Sequence, residues 1–229
     1  MNAALNNQID INEINEVDVR TLQEHYPEQF ERAYQNWCEH SLHYDDISCH
    51  WTHDEAERMC AEYGFEYKPY SLNWTGFWSQ GDGASIEFEL DSRNIDKFLS
   101  HQPIRDAIIA DAGLFACVEA VRIGALNVCV ARSGNSHYCH EMTMGVDYEE
   151  DIGDGGWIVD GGVFVGMPFE EMYKIYEPSI GDFGQWILEI GRDIARDMYS
   201  QLRDEYEYVT SVESFIEWAE SMGEKFEVE

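Results

Sequence analysis

Trp74-Thr75-Gly76-Phe77-Trp78-Ser79-Gln80-Gly81-Asp82-Gly83-Ala84-Ser85, continuing into Ile86-Glu87-Phe88-Glu89-Leu90, is written as strand, turn and second strand. Gly81-Asp82-Gly83 can supply the positive φ angles that a tight reversal needs, and apolar-rich segments flank it on both sides. Ile86, Phe88 and Leu90 alternate with Glu87 and Glu89, which describes a half-buried antiparallel strand whose other face carries carboxylates into water.

Working outward, Leu126 to Asp147 reads as a second hairpin. Val128 and Val130 alternate before Ser133-Gly134-Asn135-Ser136, and Tyr138, His140, Met142 and Met144 alternate after it. The remaining pattern is helical. Thr21-Leu22-Gln23-Glu24 spells a capping box for a helix to Tyr44, with Pro27 in its first turns and Phe30, Ala33, Tyr34, Trp37 and Cys38 as its apolar stripe. Thr52-His53-Asp54-Glu55 spells another, for a helix burying Ala56, Met59, Cys60 and Tyr63 and ended by Gly64. Asn94 to Ala112 is helical with a break at Pro103, and 114–123 is open between helix and strand. Phe183, Trp186, Ile187, Ile190, Ile194, Met198 and Leu202 trace one stripe of a long helix, and Thr210-Ser211-Val212-Glu213 caps a final one bearing Phe215, Ile216, Ala219 and Met222. The expected fold is therefore α+β: an antiparallel sheet built from two hairpins, covered by several acidic amphipathic helices. Residues 1–20, rich in Asn and Glu, read as an exposed arm, and 21–229 as a single domain.

The run from Trp74 to Ser85 resembles the S-G-F-W-S-Q-G-D-G-A signature of a family of small phage and prophage proteins, many of which carry the label "antitoxin of toxin-antitoxin stability system". Trp51 to Phe65 is similar to that family's helix before the signature, Ser133 to Glu141 to its H-S-G-H-Y-Y-H-E segment, and Gln201 to Ser211 to a further shared segment. The resemblance covers most of the chain, in order. It departs in two places: the Lys-rich helices of typical members are nearly absent, and the Gly- and Asp-rich stretch 145–162 has no counterpart. The resemblance implies a fold of this kind, a phage origin and an antitoxin role as one reading, and it brings no residue-by-residue mechanism.

The charge is the most unusual property, with 46 Asp and Glu against 14 Lys and Arg for a formal net charge of −32. Such a surface repels nucleic acid and anionic membranes and attracts basic proteins. Seven Trp, thirteen Tyr and eleven Phe argue against disorder as the reason for it. The acids also cluster: residues 141–182 hold eleven acids and one Lys, and 201–229 hold nine acids and two bases, whereas 84–140 is nearly balanced with seven and five. Clustering favours a directed face over a uniformly solvated one. Six scattered Cys and no basic-plus-apolar leader point to reduced thiols in the cytoplasm of a bacterial host.

Several constellations compete for a chemical role. Cys38, His40, His43, Cys49, His50 and His53 are the densest set of soft ligands, but they lack the paired spacing of a zinc site. His137, His140 and Glu141, with Cys139, could serve a metal-dependent enzyme; neighbours that alternate faces of one strand are poorly placed to exchange a proton, however. Trp78, Ser79, Gln80 and Asp82 form the polar tip of the aromatic turn, either as a binding surface or with Asp82 fixing the turn through bonds to backbone amides. The stretch 147–156 lacks the spacing of a calcium loop.

These observations lead to a non-enzymatic acidic inhibitor, with no cofactor, that imitates nucleic acid and blocks the basic cleft of a host DNA- or RNA-handling or defence protein. The acids expected to meet that partner are Asp147, Glu149, Glu150, Asp151 and Asp154, and on the C-terminal helices Asp193, Asp197, Asp204, Glu205, Glu213 and Glu217. An antitoxin with one cognate toxin and a metal-dependent enzyme are the alternatives, and the sequence leaves a homodimer open.

Overall fold

The computed structural model describes residues 15–40, 50–133, 139–150 and 169–228. They divide into two compact units: a smaller one from residues up to Ser48 together with Asp204–Glu229, and a larger one spanning Cys49–Arg203. Residues 21–229, expected as one domain, contribute to both units.

In the smaller unit, helix α1 (Val19–His25) starts at Asp18, whose carboxylate accepts the Thr21 amide at 2.8 Å. Asp18 therefore takes the cap expected of Thr21, and the helix stops at Tyr26 so that Pro27 opens α2 (Pro27–His40). Proline is suited to that first position because its missing N–H would have no partner there. The expected single helix from Thr21 is two helices for this reason. Strand β1 (Asn15–Val17) pairs antiparallel with the last strand (Phe226–Val228), so the end of the expected N-terminal arm is held in a sheet. The penultimate element is a helix, Val212–Met222, capped by Ser211 and closed by Gly223 at φ +65°. Its Phe215 lies at the centre of an aromatic cluster, 5.5 Å from Phe30, 5.4 Å from Trp37 and 5.9 Å from Tyr34.

The larger unit opens with α3 (His50–Tyr63). Thr52 is buried inside this helix rather than capping it. Gly64 follows at φ +79°, where a Cβ would lie 2.6 Å from the Phe98 amide nitrogen, so only glycine turns the chain here. The turn of Trp74 to Ser85 is a short hairpin of its own, β3 (Asn73–Thr75) against β4 (Gly83–Ser85), with Trp74 opposite Ala84. Phe88–Leu90 (β5) leaves that hairpin and enters a four-stranded antiparallel sheet with β2 (Glu66–Tyr67), β6 (Leu126–Arg132) and β7 (Met144–Glu150), in the order β2-β5-β6-β7. The second hairpin forms as expected on its first strand. Its return strand lies later than the alternation of Tyr138 to Met144 predicts, because Glu141–Thr143 is a short 3₁₀ turn capped by His140. Residues 145–150, the start of the Gly- and Asp-rich stretch whose composition fits a loop or a distorted hairpin, belong to strand β7 and so take the hairpin alternative.

Helices α4 (Ile95–Phe98) and α5 (Gln102–Ala110) flank the expected break, with Pro103 near the start of α5. The ambiguous 114–123 resolves into α6 (Ala112–Arg122), whose cap Asp111 accepts the Gly113 and Leu114 amides. Helix α7 (Phe169–Tyr176) leads to α8 (Ile180–Val209), which buries Phe183, Ile187, Ile194, Met198 and Leu202 along the expected stripe. The terminal helix and strand of the smaller unit are accordingly α9 (Val212–Met222) and β8 (Phe226–Val228). Phe88, Leu90, Val128 and Val130 on one face of the sheet join α6 and α8 in a common core. Among the described residues no helix is long and apolar enough to cross a membrane.

Candidate functional site

Strand register determines what the outer face of the sheet presents. Glu66 is opposite Glu89, Glu89 opposite Cys129 and Cys129 opposite Asp147, so one row runs across all four strands. The adjoining row places Asn127 opposite Glu149. Neighbouring strands lie about 4.8 Å apart, which sets the step along each row. Glu66, Glu89, Asp147 and Glu149 are all exposed. Arg93 pairs with Glu66, and Lys68 pairs with Glu87 beside them at 2.6 Å. Glu89, Asp147 and Glu149 have no ion pair among the described residues. Their effect is felt at Cys129: burial first, then the fields of Glu89, Glu149 and Asp147, pushes its thiol up to about 11. Glu66 and Glu89 are absent from the acids expected from sequence, although the alternation of Glu87 and Glu89 with Ile86, Phe88 and Leu90 already placed them on one face.

The second assembly in this unit gathers the aromatic turn and the segment around His140. Asp82 accepts the Trp78 amide at 2.9 Å and the Ser79 amide at 2.6 Å, which holds its carboxyl below the ordinary range. Tyr199 of α8 donates to the Gly76 carbonyl at 2.9 Å and its ring stacks on Phe77, which in turn stacks on Trp74. Gly83 packs directly against His140, and Thr75 donates to the Cys139 carbonyl at 3.3 Å. His140 Nδ1 accepts the Met142 amide at 3.1 Å and stands 3.0 Å from a Glu141 carboxylate oxygen. Arg192 donates to the carbonyls of Glu141 and Met144, at 3.2 and 3.3 Å, and Arg196 approaches Glu141 at 3.6 Å. Asp82, His140 and Glu141 are thus brought into one connected assembly. Its internal bonds fasten hairpin, 3₁₀ turn and α8 to one another, while Trp78, Ser79 and Gln80 face outward, Trp78 with 67% of its surface exposed. His137 lies outside the described residues.

The other expected acids distribute as follows. Asp193 and Asp197 are exposed on the part of α8 within the larger unit, Asp193 paired with Arg196 at 2.8 Å. In the smaller unit Asp204, Glu213 and Glu217 are exposed, whereas Glu205 is half-buried and so is not the outward acid expected. Glu150 is exposed at the end of β7, and Asp151 and Asp154 lie outside the described residues. Of the soft-ligand set, Cys38 contacts the Thr210 carbonyl and His40 the Asn36 carbonyl in the smaller unit, and His53 bonds Tyr67 at 3.1 Å in the larger. Among the described residues no group of three or more His, Cys, Asp or Glu side chains could hold a metal ion.

No curated protein and no solved structure matches the chain. One family model does, over residues 49–212, a span that contains the whole acidic sheet face and the whole assembly around Asp82 and His140. The chain belongs to that family, described as a domain of unknown function, DUF8835.

Proposed function

We propose that this protein is a non-enzymatic, phage-encoded acidic inhibitor that imitates nucleic acid and occupies the basic cleft of a host DNA- or RNA-handling or defence protein. The observation that carries the reading is the outer face of the four-stranded sheet, where strand register holds Glu89, Asp147 and Glu149 exposed and, among the described residues, without an ion pair, although Lys68 and Arg93 lie within the field of Glu89. A cleft that binds nucleic acid gains much of its affinity by neutralising a dense row of phosphates, and a rigid row of carboxylates competes for the same Lys and Arg groups. The net charge of −32 steers such a partner from a distance and disfavours nucleic acid itself as ligand. The phage origin rests on the resemblance of Trp74 to Ser85 and Ser133 to Glu141.

The test is affinity capture from bacterial lysate at low and high salt. Retention of a basic nucleic-acid enzyme that is released by salt and by added DNA supports the reading. Retention of a single toxin, whose toxicity the chain relieves, would replace it with the antitoxin. A partner whose binding is indifferent to salt would refute it.

A further inference from the structure

Helices α1 and α9 of the smaller unit enclose an open groove of about 310 Å³ lined by Arg20, Gln23, Val212, Glu213, Ile216 and Glu217. Apolar and acidic walls meet in it. Val212 is 37% exposed and supplies the accessible apolar surface, with Ile216 buried at 7% beneath it, and Glu213 and Glu217 stand one helical turn apart beside it. Glu220, on the next turn, already holds a guanidinium: Arg20 donates to its two carboxylate oxygens at 2.5 and 3.3 Å. Glu213 and Glu217 make no ion pair among the described residues, although Glu213 lies within the field of Arg20 across the groove, which leaves Glu217 the freer of the two.

We propose that this groove seats a Lys or Arg side chain of a basic partner protein, its methylene stem on Val212 and Ile216 and its charged head between Glu213 and Glu217. The chemistry of the occupant follows from the walls. Long cationic side chains are the ones that bury an apolar stem while leaving the charge at the rim, and the two carboxylates complement that charge. A second copy of this chain is a poor occupant, since it brings 46 acids with its 14 Lys and Arg. The proposal rests on the reading above that the partner is basic, and it names the contact by which the smaller unit would grip it.

The experiment titrates the ¹⁵N-labelled full chain with octa-arginine at low salt and follows the backbone amides. The expected result is a set of shifts concentrated at Arg20, Gln23 and Val212 to Glu217. Glu213→Gln with Glu217→Gln should weaken that binding about fivefold, the loss of two exposed charge pairs. Val212→Ser, which removes apolar floor and no charge, should weaken it about twofold. Shifts spread evenly over every acidic face, or both variants binding like the parent, would overturn the groove. The two readings fail separately. If lysate capture yields no basic protein while octa-arginine still lodges at Val212 to Glu217, the mimic falls and the groove stands; if a basic protein is captured and the variants change neither its retention nor the peptide's, the groove falls alone.

Discussion

Gly83 and His140 touch so closely that a Cβ on Gly83 would lie 2.9 Å from the His140 ring and 3.0 Å from its Cα. Fifty-seven positions apart in sequence, they join the aromatic turn to the segment before β7. Gly83→Ala should therefore push against backbone as well as ring and destabilise the chain by about 1–3 kcal/mol. Gly181→Ala is the control: nothing lies within 4 Å of a Cβ there, and in α8 it should be neutral or stabilising by up to about 1 kcal/mol. Urea unfolding compares them, and equal stability of the two variants would refute the packing role of Gly83.

Asp82 is the polar centre of the same turn, and its contribution has a sign in pH. The Ser79 amide, followed by lesser hydrogen bonds including that from Trp78, lowers its folded pKa below the ordinary 3.8. A group depressed on folding contributes stability above its unfolded pKa and loses it as pH falls through the folded value. Asp82→Asn should lower the melting temperature at pH 7 and narrow the difference from the parent below about pH 3. Thermal melts from pH 7 to 2 check this. A difference that stays constant across that range would show that the carboxylate plays no part in the turn.

Much of this was legible in the sequence because alternation and helical stripes report burial directly. Ile86, Phe88 and Leu90 are buried and Glu89 is exposed, as their period of two requires, and α8 buries the stripe from Phe183 to Leu202. What failed were decisions between local signals of similar strength. Asp18 outcompeted Thr21 as a cap. The glycine and acids of 145–150 left loop and distorted hairpin open, and pairing with Leu126–Arg132 decided for strand. Pairing partners were also hidden, since nothing local says that Phe88–Leu90 leaves its hairpin to lie beside β6. Asp147 and Glu149 were expected at the contact and Glu89 on the wet face of its strand, but that they form one row was not legible, because the row exists only once four strands are set in register. Helix glycines carried a signal that composition obscures: a Cβ at Gly191 would lie 2.5 Å from the Phe88 ring, so α8 approaches the sheet through a missing side chain.

Cys129 reports on the acidic face without requiring a partner. Burial accounts for the largest part of its rise to about 11, and Glu89, Glu149 and Asp147 for the rest. Its thiolate is therefore scarce at pH 8, and alkylation by iodoacetamide should be slow. Replacing Glu89 and Asp147 by Gln and Asn should lower the thiol pKa and shift the pH–rate profile of Cys129 to lower pH, read by mass spectrometry of its peptide. An unmoved profile would mean that the carboxylates do not share a face with Cys129.

The exposed acids of α8 give the direct test of the partner surface. Asp193, Asp197 and Asp204 all face solvent, and Asp193 alone among them has an ion pair here, an exposed one with Arg196 that contributes well under about 1 kcal/mol to folding. Replacing all three with Lys should leave the helical circular dichroism signal unchanged, since Lys is at least as good a helix former as Asp. Glu205 belongs outside this set because it is half-buried, and Lys there would disturb packing as well as charge. In the lysate experiment the triple variant should lose a basic partner at low salt, because each replaced acid turns an attractive charge into a repulsive one. If the folded variant retains the partner as the parent does, the α8 acids are only a solvated face, and the contact falls to the sheet row of Glu89, Asp147 and Glu149, whose neutral variants then decide it.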